Sequence, residues 1–262
     1  MPRVNRHHPS QPFRQAVNMP RLKRQILHLA DIHGNPLWLN WLSQQYSKFE
    51  LVVIAGDLLA LMDPDEHRQI RDLTAVLREF RGELAICSGN HDFPLDALPA
   101  DPPEWISALR SSRCRVDGDR FRFAGRLIRC LGWNEPPKFA DPGDFWVCHA
   151  PPSDSPTGTA REGGDFGDFE IGSMCHASMG PRLLFHGHVH GPKAFIAKIG
   201  QTICLNPGHS PTASVPNHFV VDLDKHTAEH RSLGRSGRLK VSIFDLDNPA
   251  VRKNGSLKPK PQ

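Results

Sequence analysis

Arg182-Leu183-Leu184-Phe185-His186-Gly187-His188-Val189-His190-Gly191 is the stretch on which the reading of the chain turns. Its apolar run Leu183-Leu184-Phe185 reads as a short buried strand, and Gly187 breaks it. His188 and His190 alternate with Val189, so in extended backbone both imidazoles point to one side. Two imidazoles on one side of a strand end, beside a glycine that permits close approach, meet the needs of a divalent-metal site. The same pair could equally be two hydrogen-bonding histidines. The decision rests on whether other strand ends deliver ligands of the same kind.

They do, on both halves of the chain. Ile26-Leu27-His28-Leu29-Ala30 reads as a strand running into Asp31-Ile32-His33-Gly34-Asn35, where Asp31 and His33 share a face. Leu51-Val52-Val53-Ile54-Ala55, nearly unbroken in apolarity as in a strand covered on both faces, ends at Gly56-Asp57. Leu84-Ala85-Ile86-Cys87 ends in Ser88-Gly89-Asn90-His91-Asp92, and Phe145-Trp146-Val147-Cys148 leads to His149-Ala150-Pro151-Pro152. Between them, Trp38, Leu39, Trp41 and Leu42 fall at helical spacing, as do Ile70, Leu73, Leu77 and Phe80. The alternation predicts βαβ units, hence an α/β fold with a largely parallel sheet. The second half reads as richer in β structure: a hairpin of Phe121–Phe123 and Leu127–Leu131 over Gly125, and strands at Thr202–Leu205 and Phe219–Leu223. The segment from Ser153 to Gly172 reads as an exposed loop, with Ser173 as the N-cap of a short helix.

Composition removes several function classes. At 262 residues the chain holds one sizeable core. No apolar run approaches membrane-spanning length, so no membrane partner is expected. The six cysteines are scattered without a Cys-x-x-Cys pair, which points to a reducing, cytoplasmic setting with no disulfide framework or zinc ribbon. The net charge of +4 conceals an asymmetry. Residues 1–25 carry six Lys/Arg and no acid, and 234–262 carry seven against two, which leaves 19 basic and 26 acidic residues between them, a formal −7. A basic nucleic-acid groove across that body is not indicated. The expected organisation is a basic, proline-rich tail over 1–24, one domain over 25–233, and a basic tail over 234–262.

Five strand ends thus present Asp31 and His33, Asp57, Asn90 and His91, His149, and His188 and His190. In an open α/β sheet the carboxyl ends of parallel strands gather along one edge, where such folds place ligands. One Asp after a strand is an ordinary cap; five such ends together are not ordinary. The ordered set Asp31-x-His33, Gly56-Asp57, Gly89-Asn90-His91-Asp92, His149 and Gly187-His188-x-His190 resembles the calcineurin-like metallophosphoesterases, over about Gln25 to Leu233.

That resemblance implies a four-layer α-β-β-α sandwich with two divalent metal ions at the strand ends. It implies that Asp31, His33 and His190 hold one ion, that Asn90, His149 and His188 hold the other, and that Asp57 bridges them. A hydroxide between two such ions would attack a phosphoester in line. Mixed nitrogen and oxygen ligation fits Mn²⁺, Fe or Zn²⁺ better than Ca²⁺ or Mg²⁺. His91, not needed as a ligand, becomes the general acid toward the leaving oxygen, with Asp92 as a stand-in for its orienting acid. A phosphatase branch of the family places that acid three residues after the bridging Asp, where this chain has Ala60.

The branch is read from what surrounds the motifs. Asp31-Ile32-His33-Gly34-Asn35 is similar to the protein Ser/Thr phosphatases, but Gly56-Asp57-Leu58-Leu59-Ala60 lacks their arginine after Gly-Asp. His149-Ala150-Pro151-Pro152 and Asn206-Pro207-Gly208 look more like the small phosphodiesterases of the family. The expected substrate is therefore a small phosphodiester. A phosphomonoesterase, a nuclease guided by the basic tails and a non-catalytic scaffold are the alternatives. His186, His209 and Ser210, next to the motifs, read as structural or solvent-facing. Arg161, Asp165 and Asp168 lie in the loop after His149, where specificity could be set. Sequence gives no oligomeric state.

Overall fold

The computed structural model describes residues 24–45, 48–60, 65–93, 102–135, 137, 143–234 and 236–249, together with the backbone of 252–255. The tail expected over 1–24 lies outside the described residues except for Arg24, as do 256–262.

The first half builds the parallel part of one sheet. Strands β1 (Gln25–Leu29), β2 (Leu51–Ala55), β3 (Glu83–Cys87) and β4 (Cys114–Arg115) lie side by side in chain order and run parallel. Helices α1 (Pro36–Ser43), α2 (Glu66–Arg78) and α3 (Glu104–Ser107) connect them. Helix α1 starts where it does because Asn35 caps it: Oδ1 accepts from Leu37 N at 3.0 Å and Trp38 N at 3.4 Å, and Pro36 follows. On the other side of β1 the sheet continues antiparallel through β11 (His218–Asp222), β12 (Thr227–Leu233), β13 (Leu239–Asp245) and β14 (Arg252–Gly255).

The second sheet has the order β5-β6-β7-β8-β10-β9. Its members are β5 (Arg120–Phe123), β6 (Arg126–Leu131), β7 (Phe145–Cys148), β8 (Leu183–Phe185), β9 (Ile196–Ile199) and β10 (Thr202–Leu205). Strands β6, β7, β8 and β10 run parallel. One helix, α4 (Phe169–His176), covers it.

Strand alternation sorts the apolar residues into layers. On β2, Leu51, Val53 and Ala55 face the second sheet, while Val52 and Ile54 face the helices. On β7, Phe145 and Val147 face the first sheet, while Trp146 and Cys148 pack with Ile171, Met174 and Cys175 of α4. The result is helices, sheet, sheet, helix: the expected four-layer α-β-β-α sandwich. A strand buried on both faces cannot alternate polar and apolar, which is why β2 reads as a continuous apolar run.

Three expectations need correction. The stretch from residue 234 onward is not simply a tail, because β13 and β14 extend the first sheet, with Val241 and Phe244 buried. Leu239-Lys240-Val241-Ser242-Ile243 alternates apolar and polar with the period of a half-buried strand, a signal that the basic charge of this stretch outweighed in the sequence reading. The loop after His149 is only partly exposed, since Ser155 and Thr157 are fully buried. The cap of α4 is Asp168, whose Oδ1 accepts from Ile171 N at 2.8 Å; Ser173 sits inside the helix.

Candidate metal centre

Every motif residue lies just past the carboxyl end of a parallel strand, and the backbone there is held in unusual turns. Asp31, His33, Asp57 and His188 adopt φ of 54°, 48°, 52° and 70°. Left-handed backbone costs a residue with a Cβ about 1–2 kcal/mol, so each turn persists only because its surroundings fix it. Asp31 N donates to Gly56 O at 3.0 Å and His33 N to Asp57 O at 3.0 Å, which ties the β1 end to the β2 end. Two glycines then make room. A Cβ on Gly89 would stand 2.2 Å from Asp57 Oδ1, and one on Gly187 would stand 2.5 Å from Asp31 Oδ2.

The side chains converge in two groups that share one carboxylate. In the first, His33 Nε2 lies 3.2 Å from His190 Nε2, and Asp31 Oδ1 is 3.9 Å from the former and 3.5 Å from the latter. In the second, His188 Nδ1 is 3.0 Å from Asn90 Oδ1, and the His149 and His188 rings are 5.2 Å apart, edge to face. Asp57 Oδ2 lies between the groups, 3.1 Å from His149 Nε2, 3.8 Å from His91 Nε2 and 4.0 Å from His33 Nε2. Asp57 Oδ1 accepts from His91 N at 2.9 Å. Atoms of His33, Asp57 and His91, and of Asp57, His149 and His188, are close enough to share a cation.

The chemistry of this donor set fits a divalent metal. Asp31 is fully buried and, among the described residues, its Oδ2 has no hydrogen-bond partner, while the buried His149 Nε2 has the Asp57 carboxylate 3.1 Å away. Leaving such an oxygen unpaired is costly unless a cation satisfies it. Burial opposes charge on Asp57, but the His149 imidazole beside it overrides burial and holds its carboxyl well below the usual range. Burial likewise opposes charge on His149, and the Asp57 carboxylate wins, raising it to about 9. His188 is pushed down to about 4, first by burial and then by His149. That keeps His188 in the neutral, ligating form, whereas His149 and Asp57 hold each other as an ion pair that a cation between them would replace.

Each residue expected at the site is accounted for. Asp31, His33, Asp57, Asn90, His91, His149, His188 and His190 come together as described. Asp92 does not orient His91. Its Oδ1 accepts from Leu58 N at 2.8 Å and Leu59 N at 3.0 Å, and its Oδ2 from Gly89 N at 2.8 Å, so it clamps the β2 and β3 turns to each other. Among the described residues the Nδ1 of His91 has no hydrogen-bond partner.

Sequence reasoning missed two aromatic neighbours and undervalued a third residue. Trp133 places its ring 5.1 Å from His188 and 5.5 Å from His149. Trp38, read as core, lies 4.9 Å from His209. His209 stacks on His190 at 4.4 Å, and its Nδ1 donates to Asp31 O at 2.8 Å. No local pattern marks Trp133; His209 was legible only through its place after Asn206-Pro207-Gly208.

Comparison with known proteins bears on this geometry. The sequence model of the family described as calcineurin-like phosphoesterase matches residues 24–192. Among solved structures, TT1561 of Thermus thermophilus is 15% identical with a TM-score of 0.52, over 89% of this chain and 99% of that one, which shows a shared fold. A conserved uncharacterized protein of Streptococcus pneumoniae, described as a predicted phosphoesterase, is 15% identical with a TM-score of 0.39, over 91% of this chain and 100% of its own. No curated protein matches the chain.

Proposed function

The chain belongs to the calcineurin-like phosphoesterase family, and from that membership we propose that it is a two-metal enzyme hydrolysing a small phosphodiester. In this reading Asp31, His33 and His190 would hold one ion, Asn90, His149 and His188 would hold the other, and Asp57 would serve both, with Mn²⁺ the preferred metal and Fe or Zn²⁺ able to serve. The observation that carries it is Asp57 Oδ2, which lies 3.1 Å from His149 Nε2 in one group and 4.0 Å from His33 Nε2 in the other. When bound, two such ions polarise a phosphoryl group and activate water for in-line attack.

The chain's own residues supply the rest. Asn90 brings an uncharged oxygen ligand, which limits the negative charge facing an anionic phosphate. His91, about one-fifth exposed at its side chain and 3.8 Å from Asp57 Oδ2, would deliver a proton to the leaving oxygen; its exposure and nearness to Asp57 support that role. Asp92 acts as a positioning residue, holding the Asp57 and Asn90 turns in register. The diester preference follows from charge. A monoester carries close to two negative charges near neutral pH and a diester one. Among the described residues the ion pairs of Asp31 and Asp57 are all with histidines, with no arginine to offset a second charge. Six buried free thiols support a reducing, cytoplasmic setting; no helix of the described residues is long and apolar enough to cross a membrane.

The test uses the full chain loaded with Mn²⁺. Elemental analysis is expected to give two ions per chain. Bis(4-nitrophenyl) phosphate is expected to be turned over with a higher kcat/KM than 4-nitrophenyl phosphate at one pH. One ion per chain would overturn the bridging assignment; a clear monoester preference would overturn the diester reading and leave the metal assignment standing.

A further inference from the structure

The sheets pack with β2 and β3 against β6 and β7, and from there the first continues through five more strands and the second through three, so the β13–β14 end of the first projects past β9. The step leaves a cleft of about 860 Å³, within the range of small-molecule sites. Its floor is made of alternate residues on two paired strands, with His230 opposite Ser242 and Ser232 opposite Lys240. One wall is Phe195 and Ile196 at the start of β9; Ser210, next in the chain to His209, and Asn217 complete the polar lining.

Its charge is unlike that of the body as a whole. Arg161, Lys193 and Lys240 line the cleft and, among the described residues, no carboxylate does. Arg161 is held rather than loose: Nε donates to Pro192 O at 3.1 Å, and the guanidinium lies over the Phe195 ring at 5.3 Å. Phe195 in turn stacks on His230 at 4.0 Å. Asn217, 5% exposed, spends Nδ2 on Ser210 Oγ at 3.2 Å, while its Oδ1 has no partner. Because a serine hydroxyl can donate or accept, either edge of that buried amide can meet a ligand.

The cleft and the metal centre share two loops. Ser210 follows His209, whose ring stacks on His190. Lys193 is three residues beyond His190, a backbone span of at most about 11 Å. Arg161 N donates to Gly191 O at 2.9 Å. A ligand held by these cations therefore lies beside the loops that carry His190 and His209.

We propose that this cleft binds a second phosphate of the substrate, so that the preferred substrate is an extended phosphoester carrying an anionic phosphate beyond the scissile one. The proposal rests on the phosphoesterase reading for the identity of the ligand, and on the cleft alone for its charge. The second phosphate accepts from Lys193 and Lys240, with Arg161 fixed beside it, while the scissile group meets the metal ligands.

A matched pair of substrates tests it: thymidine 5′-(4-nitrophenyl phosphate) with and without a 3′-phosphate, on the full Mn²⁺-loaded chain. The 3′-phosphate is expected to lower KM about tenfold, the worth of one charge-assisted hydrogen bond. The doubly substituted Lys193→Ala, Lys240→Ala chain should lose that advantage while treating the plain diester as wild type does. Both lysines are exposed, so the fold tolerates the change. Lys198→Ala, an exposed lysine of β9 outside the cleft, should retain the full advantage. No effect of the 3′-phosphate, or an advantage that survives in the double variant, overturns the proposal. If neither ester is turned over, calorimetry with thymidine 3′,5′-bisphosphate separates the two readings. Binding weakened about tenfold in the double variant keeps the cleft and overturns the phosphoesterase; binding that the double variant leaves unchanged, or no binding, overturns the cleft.

Discussion

Asp117 offers a quantitative handle on the ground beneath the metal centre. It is 6% exposed, its Oδ1 accepts from Ser88 N at 2.8 Å, and among the described residues its Oδ2 has no partner. Ser88 closes β3 two residues before Asn90, and its Oγ accepts from Trp133 N at 3.0 Å. Burial pushes the Asp117 carboxyl up to about 6, against the hydrogen bonds from Ser88. An unfolded aspartate titrates near 3.9, so the native state binds the extra proton between roughly pH 4 and pH 6. Where the folded state holds more protons than the unfolded, stability falls as pH rises. Ionising Asp117 therefore costs nothing below about pH 4 and about 3 kcal/mol above about pH 6. Asp117→Asn keeps an oxygen for Ser88 N and removes the charge. Urea unfolding of both chains at unit steps from pH 4 to pH 8 isolates the effect. The stability of the variant minus that of wild type is expected to grow by about 3 kcal/mol across the range, nearly all of it before pH 7. A buried amide NH₂ without a partner shifts the whole difference curve by a constant, so the rise with pH, not the offset, is the readout. A difference curve that stays flat would falsify the assignment of Asp117 as a carboxyl strained by burial.

The other predictions concern the site and one helix. Gly89→Ala sets a methyl 2.2 Å from Asp57 Oδ1 and 2.4 Å from Asp57 N, so elemental analysis should find bound metal lost and turnover reduced by about 10² or more; full metal content would show that the β3 turn yields. His91→Ala should lower turnover by about 10² on an alkyl ester and far less on a 4-nitrophenyl ester, whose leaving group needs little protonation. Equal losses would make His91 a phosphate-binding residue only. Asn35→Ala removes the α1 cap and should cost about 1 kcal/mol in urea unfolding, with metal content unchanged; no loss of stability would mean that water replaces the cap.

The strand ends were legible in the sequence. Short apolar runs broken by Gly-Asp, Gly-Asn-His or Gly-His-x-His are local signals, because burial on both faces makes the run continuous and the turn beyond it demands glycine. Parallel strands must all end on one edge, so the sequence alone gathers eight motif residues in one place. What each carboxylate does there was not local. Asp57 and Asp92 read alike as acids after strands, yet one lies between two histidine groups while the other is consumed by three backbone amides. That difference arises from contacts more than thirty residues apart in the chain. The same holds for Trp133 and His209, which reach the site from loops with no periodic pattern; β13, by contrast, carried a legible alternation in Leu239-Lys240-Val241-Ser242-Ile243 that the basic charge around it outweighed. The basic cleft lies furthest from sequence. Its cations come from residues 161, 193 and 240 on three separate segments, and they share a surface only because one sheet outgrows the other by two strands.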